Sequence, residues 1–366
     1  MNTSNVDSPV VNKLPLPDLW GGGNPEIWQR SSRATAKKIV ELAFGGMPPV
    51  PEEIHFEKCC EARVRLFPDL PHLRTYKIHC GGGEKPFSFT VQILYPDGDG
   101  PFPAIVNGDG CWWYLTDDVA KKVLAQGCAL LMFDRTEMAR DLGGMTHGDP
   151  EWKLREGGLY DVYPDRDFGA ISAWAWGIQR GVDLLMTLPY IDRDNIAVTG
   201  HSRGGKTALL AGLVDERIGL INDNAGGTCG AALSRYVSGQ GETLGQILFQ
   251  FPHWFGPELQ TYADKEETLP FDQHSLLACL APRPLLLTYA LDDVWSNQRG
   301  MILAAEAARE VYALHNKADA LAFHLREGSH AHQPEDWAVL LDFIGVHWQG
   351  LAPGYAYNQH PYGSIL

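Results

Sequence analysis

Short apolar runs recur through the middle and C-terminal parts of the chain, and they constrain the fold more than any other feature. They are PAIVNG (103–108), CALLMFD (128–134), NIAVTG (195–200), RIGLIND (217–223), RPLLLTYA (283–290) and LAFHLRE (321–327). Such runs suit strands covered on both faces. Helical segments separate most of them: TDDVAKKVLAQG, AISAWAWGIQRGVDLLMTL, GKTALLAGL, RGMILAAEAAREVYAL and EDWAVLLDFIGVHW. Strands alternating with helices imply an α/β protein with a mostly parallel sheet and helices on both faces. Upstream, HLRTYKIHC and FSFTVQILYP alternate polar and apolar residues, the mark of antiparallel strands with one wet face. Before them, RATAKKIVELAFGG reads as a helix closed by glycines.

With 366 residues and 45% hydrophobic content, the chain can bury a sizeable core, and one domain over 1–366 is the economical reading. An N-terminal extension (about residues 1–30), rich in Pro, Gly and Asn, is expected to wrap the surface. Two stretches, 134–168 and 233–275, interrupt the alternation and are too long for plain connections, so they are expected to wall a cleft. A net charge of −15 argues against nucleic acid or an anionic membrane as main partner. The seven cysteines show no metal-ligand spacing and no disulfide framework, so no metal is expected. The N-terminus shows no basic start followed by an apolar run, and a cytoplasmic location is expected. No run is apolar and long enough to span a bilayer.

One corner carries chemistry. Gly200-His201-Ser202-Arg203-Gly204 matches G-x-S-x-G, and it sits between an apolar strand and a helix-forming run. In a nucleophile elbow the serine occupies a strained turn above the sheet, and the amide after it helps form an oxyanion hole. Arg203 can add a charged donor to the oxyanion, and Lys206, one helical turn beyond Ser202, can reach the same cleft. Serine attack needs a base and an orienting carboxylate, which follow on later strand ends in this arrangement. RPLLLTYA is followed by Asp292 and Asp293, and LAFHLRE by His330 and His332. Asp293, just before Val294-Trp295, and His330, directly after Gly328-Ser329, are preferred.

With GGTCGAALSRY, GETL, FPHWF, LPFDQHSLLACLAPRP and DDVWSNQRG, the elbow resembles the bacterial branch of the glucuronoyl esterases, carbohydrate esterase family 15. The similarity runs from LPLPDLW to the C-terminal helix. It implies an α/β-hydrolase fold and a cofactor-free serine esterase that splits esters of 4-O-methyl-glucuronic acid. By motif it implies Ser202 as nucleophile, Arg203 as oxyanion arginine and His330 as base. Lys206 and Glu242 would bind the sugar hydroxyls, and Trp295 would pack on the ring. Fungal members carry the acid in an ESGAGG-like segment. Here that region reads INDNAGGTCG, one residue longer than expected, with Asp223 as the nearby carboxylate, which favours Asp293. Asp292 and Asp223 stay open as alternatives. Trp112, Trp113 and Trp254 are candidates for the alcohol side, with core packing as their default role. Two other functions are weighed: a carbohydrate deacetylase or other small-ester hydrolase of this fold, and a non-catalytic carbohydrate-binding protein. The oligomeric state is left open.

Overall fold

A computed structural model describes residues 10–13, 15–19, 25–64, 70–112, 115–141 and 155–363. Trp113 and the middle of the 134–168 stretch (142–154) lie outside the described residues, as does half of the N-terminal extension. Among the described residues, the main sheet has nine strands. The antiparallel part comprises β2 (Ile54–Arg63), β3 (His72–Cys80) and β4 (Phe87–Tyr95), and β4 pairs antiparallel with β6 (Ala129–Phe133). From β6 the ladder is parallel through β5 (Phe102–Asn107), β7 (Ile191–His201), β8 (Leu220–Asn224), β10 (Leu285–Ala290) and β11 (Leu321–Arg326). A separate two-stranded sheet joins β1 (Val10–Lys13) to β9 (Tyr236–Ser238).

Side chains alternate between faces along each strand, and the two faces fill differently. Ile105, Leu130, Ala197, Leu220, Leu286 and Ala322 pack with α2 (Asp117–Ala125) and α9 (Pro334–Gln349). Their neighbours Ala104, Val106, Leu131, Val198, Ile221, Leu287 and Phe323 join the larger core on the other face. That core takes in α1 (Pro25–Phe44), α3 (Leu159–Val162), α4 (Ala170–Leu185), α5 (Arg203–Val214), α6 (Leu244–Gln250), α7 (Gln273–Cys279) and α8 (Gln298–Leu314). Continuous apolar runs were needed because both faces are dry; each buried Leu, Ile or Phe contributes about 1.5–3 kcal/mol. Among the described residues, no helix is long and apolar enough to cross a membrane.

The expected helix near the N-terminus begins earlier than its apolar pattern suggests, at Pro25, where a proline suits the first turn. The 233–275 stretch contributes β9, α6 and the start of α7. The C-terminal ends of β5, β6, β7, β8, β10 and β11 form one rim, which is where open α/β sheets collect their functional side chains.

Candidate active site

Ser202 joins β7 to α5 with φ +56° and ψ −117°, a conformation that non-glycine residues rarely adopt. Such strain persists only where the surroundings over-determine it. Here both neighbouring strands hold the corner. The Ser202 N–H donates to the Asn224 carbonyl at 2.7 Å, and the His201 N–H donates to the Asp109 carboxylate at 2.7 Å. The His201 ring pairs through Nδ1 with Asn224 Oδ1 at 2.6 Å. The glycines of the motif are a matter of space. A Cβ on Gly200 would lie 2.3 Å from the Gly204 carbonyl oxygen, and one on Gly204 would lie 2.3 Å from the Asp109 carboxylate.

The acid and base candidates meet across two strand ends. His330, after β11, has Nδ1 2.7 Å from Asp293 Oδ2, and the carboxylate is buried. A carboxylate can only accept, so Nδ1 carries the proton and Nε2 is left as an acceptor. Ser296 donates to the same Asp293 oxygen, and its own oxygen lies 3.2 Å from His330 Nδ1. Burial pushes the Asp293 carboxyl up, but the hydrogen bonds from His330 and Ser296 outweigh it and hold the group below its ordinary range. The His330 ring lies 4.6 Å from that of His201, the residue before Ser202.

The competing residues are placed elsewhere. His332 is buried and stacked between His201 and Trp337, and burial pushes it down to about 3. Asp292 is exposed, and its backbone N–H donates to Gly328. Asp223 accepts a hydrogen bond from the Tyr289 hydroxyl at 3.0 Å, and that hydroxyl accepts the Gly227 N–H at 2.8 Å. Burial raises Asp223 to about 6, against the pull of the Lys206 ammonium. Asp223 is therefore tied to the loop after β8, while Asp293 is tied to the imidazole.

Lys206 is buried on α5 and donates to the Gly226 carbonyl. Glu242 is also buried; burial lifts its carboxyl to about 7, opposed first by Lys206 and then by a hydrogen bond from the Trp295 side chain. The segment around Glu242 is stitched to this rim. Its N–H donates to the Trp295 carbonyl at 3.0 Å, and its carbonyl accepts from the Thr228 hydroxyl at 2.6 Å. Trp295 itself is 44% exposed, an unusual degree for an indole.

Arg203 pairs with Asp141, and its guanidinium lies 4.4 Å from the Trp254 ring centre and 5.2 Å from those of Trp112 and Phe251. The 233–275 stretch thus brings Phe251 and Trp254 to the cation beside the elbow. Asp109, Arg135, Asp141, Asn224 and Ser296 escaped the reading of the sequence. Asp109, Arg135 and Asn224 do stand at the C-terminal ends of β5, β6 and β8, a position that was a usable signal. Among the described residues, no cluster of His, Cys, Asp and Glu is arranged to hold a metal ion.

A family model described as glucuronyl esterase, fungi, matches residues 78–315. A carbohydrate esterase, MZ0003, from an unidentified prokaryote is 38% identical over 55% of this chain and 52% of its own. The 4-O-methyl-glucuronoyl methylesterase of Hypocrea jecorina is 33% identical over 70% of this chain and 54% of its own. The chain thus spans about half the length of these curated relatives. A carbohydrate esterase family 15 glucuronoyl esterase from Caldicellulosiruptor kristjansonii superposes with a TM-score of 0.81 at 28% identity, covering 96% of this chain and 95% of that one. The expected fold class is therefore observed: antiparallel N-terminal strands, a parallel remainder and helices around the sheet.

Proposed function

The chain belongs to the glucuronoyl esterase family, carbohydrate esterase family 15, and on that premise we propose that it is a serine esterase hydrolysing esters of glucuronic acid, with or without a 4-O-methyl group. The name of the Hypocrea relative supports the substrate class. The observation that carries the reading is two buried ionisable side chains, Lys206 and Glu242, beside a strained serine and an Asp293–His330 hydrogen bond. Buried polar groups of this kind suit a hydroxylated acid better than an alkanoate, because a buried polar group left unsatisfied is costly.

In the proposed reaction, Ser202 attacks the C6 carbonyl carbon while His330 Nε2 takes the hydroxyl proton. Arg203 and a backbone amide stabilise the tetrahedral oxyanion. Collapse breaks the bond to the alcohol, which leaves with the proton from His330. Water, activated by the same imidazole, then attacks the acyl-enzyme and frees uronate and Ser202. Asp293 keeps the imidazole in the required tautomer throughout. Lys206, Glu242 and Trp295 orient the sugar.

The test is a panel of esters. The methyl ester of 4-O-methyl-glucuronate is expected to be hydrolysed with kcat/KM about 100-fold or more above that of acetylated xylose, since a site built to pair hydroxyls rejects analogues lacking them. The reverse order would favour the deacetylase reading, in which the sugar sits on the alcohol side.

Glu242 adds a pH signature. Its carboxyl is raised to about 7, so the fraction able to accept two hydroxyls as an anion grows as pH rises through that value. KM for the uronate ester is expected to fall about tenfold between pH 6 and pH 8, following the ionised fraction. In Glu242→Gln this dependence should vanish and KM should stay high at both pH values. A wild-type KM that is flat over this range would contradict the role given to Glu242.

A further inference from the structure

Behind the elbow lies a line of four charges that alternate in sign. Arg203 pairs with Asp141 Oδ1, Asp141 Oδ2 accepts from Arg135 at 2.7 Å, and Arg135 pairs in turn with Asp109. Asp109 closes the line by accepting the His201 N–H, one residue before Ser202. The side chains of Arg135, Asp109 and Asp141 are 1%, 2% and 5% exposed, so the group is nearly dry, whereas Arg203 at its outer end is 18% exposed. Charges buried at this depth persist only when each is paired, and two cations against two anions meet that condition.

We propose that Asp141 is a positioning residue for Arg203, clamped by Arg135 so that the guanidinium keeps one orientation beside Ser202. The inference rests on the oxyanion role given to Arg203 above. An arginine has a long, mobile side chain, and electrostatic stabilisation of an oxyanion depends on donors that are already in place. The Trp112, Trp254 and Phe251 rings surround the guanidinium but offer no acceptor that would fix its rotation. A carboxylate does. Asp141 is itself held, because its second oxygen is committed to Arg135, and Arg135 rests on the Trp112 and Trp174 rings at 3.9 and 4.9 Å. Trp112 thus touches both cations. Arg135 serves two ends at once, fixing the orienting carboxylate of Arg203 through Asp141 and the backbone before the nucleophile through Asp109.

An isosteric change exposes the logic. In Asp141→Asn one oxygen becomes an NH2 group, which must face either Arg203 or Arg135, so one guanidinium loses its acceptor whichever way the amide turns. The experiment measures kcat and KM on methyl 4-O-methyl-glucuronate for wild type, D141N, Arg203→Met and the double variant. Arg203→Met is expected to lower kcat by about 10²–10³-fold, as loss of an oxyanion donor does. D141N should lower kcat by about 10–100-fold with KM changed less than about threefold, and should cost less than about threefold more once Arg203 is gone, because the two act as one unit. A purely structural role would instead lower thermal stability and multiply with the Arg203 loss. D141N with kcat within twofold of wild type, or fully multiplicative losses, would overturn the proposal while leaving the oxyanion role standing. An unaffected Arg203→Met would overturn both. Should D141N not fold, Asp141→Glu keeps the charge but moves it by one methylene. The same non-additivity with Arg203→Met is then expected, and its absence is decisive against the proposal.

Discussion

Ser202→Ala is expected to lower kcat/KM for methyl 4-O-methyl-glucuronate by about four to six orders of magnitude, the loss seen when a serine nucleophile is removed from an intact triad. The structure argues that little else changes. The backbone N–H of residue 202 keeps its bond to the Asn224 carbonyl, and the Ser202 side chain caps no helix N–H. Asp109, Asn224 and the two glycines hold the corner without help from the hydroxyl. Stability, checked by the melting temperature, should therefore change by no more than a substitution away from packed or capped positions produces, about ±0.5 kcal/mol. Lys206, Glu242 and Trp295 remain in place, so the uronate product should still bind with an affinity near that of wild type. This pairing of lost turnover with kept binding discriminates between the readings. Turnover in the wild type that disappears in the variant excludes the non-catalytic carbohydrate-binding protein. Turnover retained within tenfold would mean that the acyl-enzyme route assigned to Ser202 is wrong.

How much of this was legible beforehand follows from where each interaction lives. The parallel strands could be read because a strand dry on both faces must be apolar at successive positions, as LLLTYA in β10 is. By contrast β2, IHFEKCCEAR, is an edge strand with mostly exposed residues and charges at both parities, and its pattern resembles a loop. The strand β9 has three residues and pairs with a segment more than two hundred positions away, which no local periodicity can signal. Within the candidate site, the turn at Ser202 was legible through two glycines that the packing demands. Asp293 and His330 were legible because each follows an apolar strand. The choice between neighbours was harder, since Asp292 and Asp293 differ only in which side of one turn they occupy. Asp141 was not legible at all. It lies in the long stretch after β6, and its meaning comes only from two arginines, one six and one sixty-two residues away.

Asp293 is the candidate triad acid on motif and geometry alike, and Asp293→Asn tests it. Among the described residues Asp293 is the carboxylate hydrogen-bonded to His330, at 2.7 Å. An asparagine there can present its NH2 to the imidazole and so favour the tautomer with the proton on Nε2, which cannot accept from Ser202. Loss of the correct tautomer costs about 10⁴-fold in kcat in the serine protease precedent, and a fall of about 10³–10⁴-fold is expected here. The change removes one charge with little change in volume. Ser296, which donates to the same oxygen in the wild type, can accept from the NH2 group instead, so the fold should survive. Two companion variants make the result specific. Asp292→Asn should stay within about twofold of wild type, as expected for an exposed side chain outside the hydrogen-bonded set. Asp223→Asn disturbs the Tyr289 hydroxyl and the loop over Gly226, beside Lys206, so its cost should appear chiefly in KM. If Asp223→Asn proved the more damaging to kcat, the acid would be Asp223, near the C-terminal end of β8, and the Asp293–His330 bond would be structural. A kcat that collapses in Asp293→Asn alone assigns the imidazole's orientation to the strand end after β10, and with it the direction from which the base reaches Ser202.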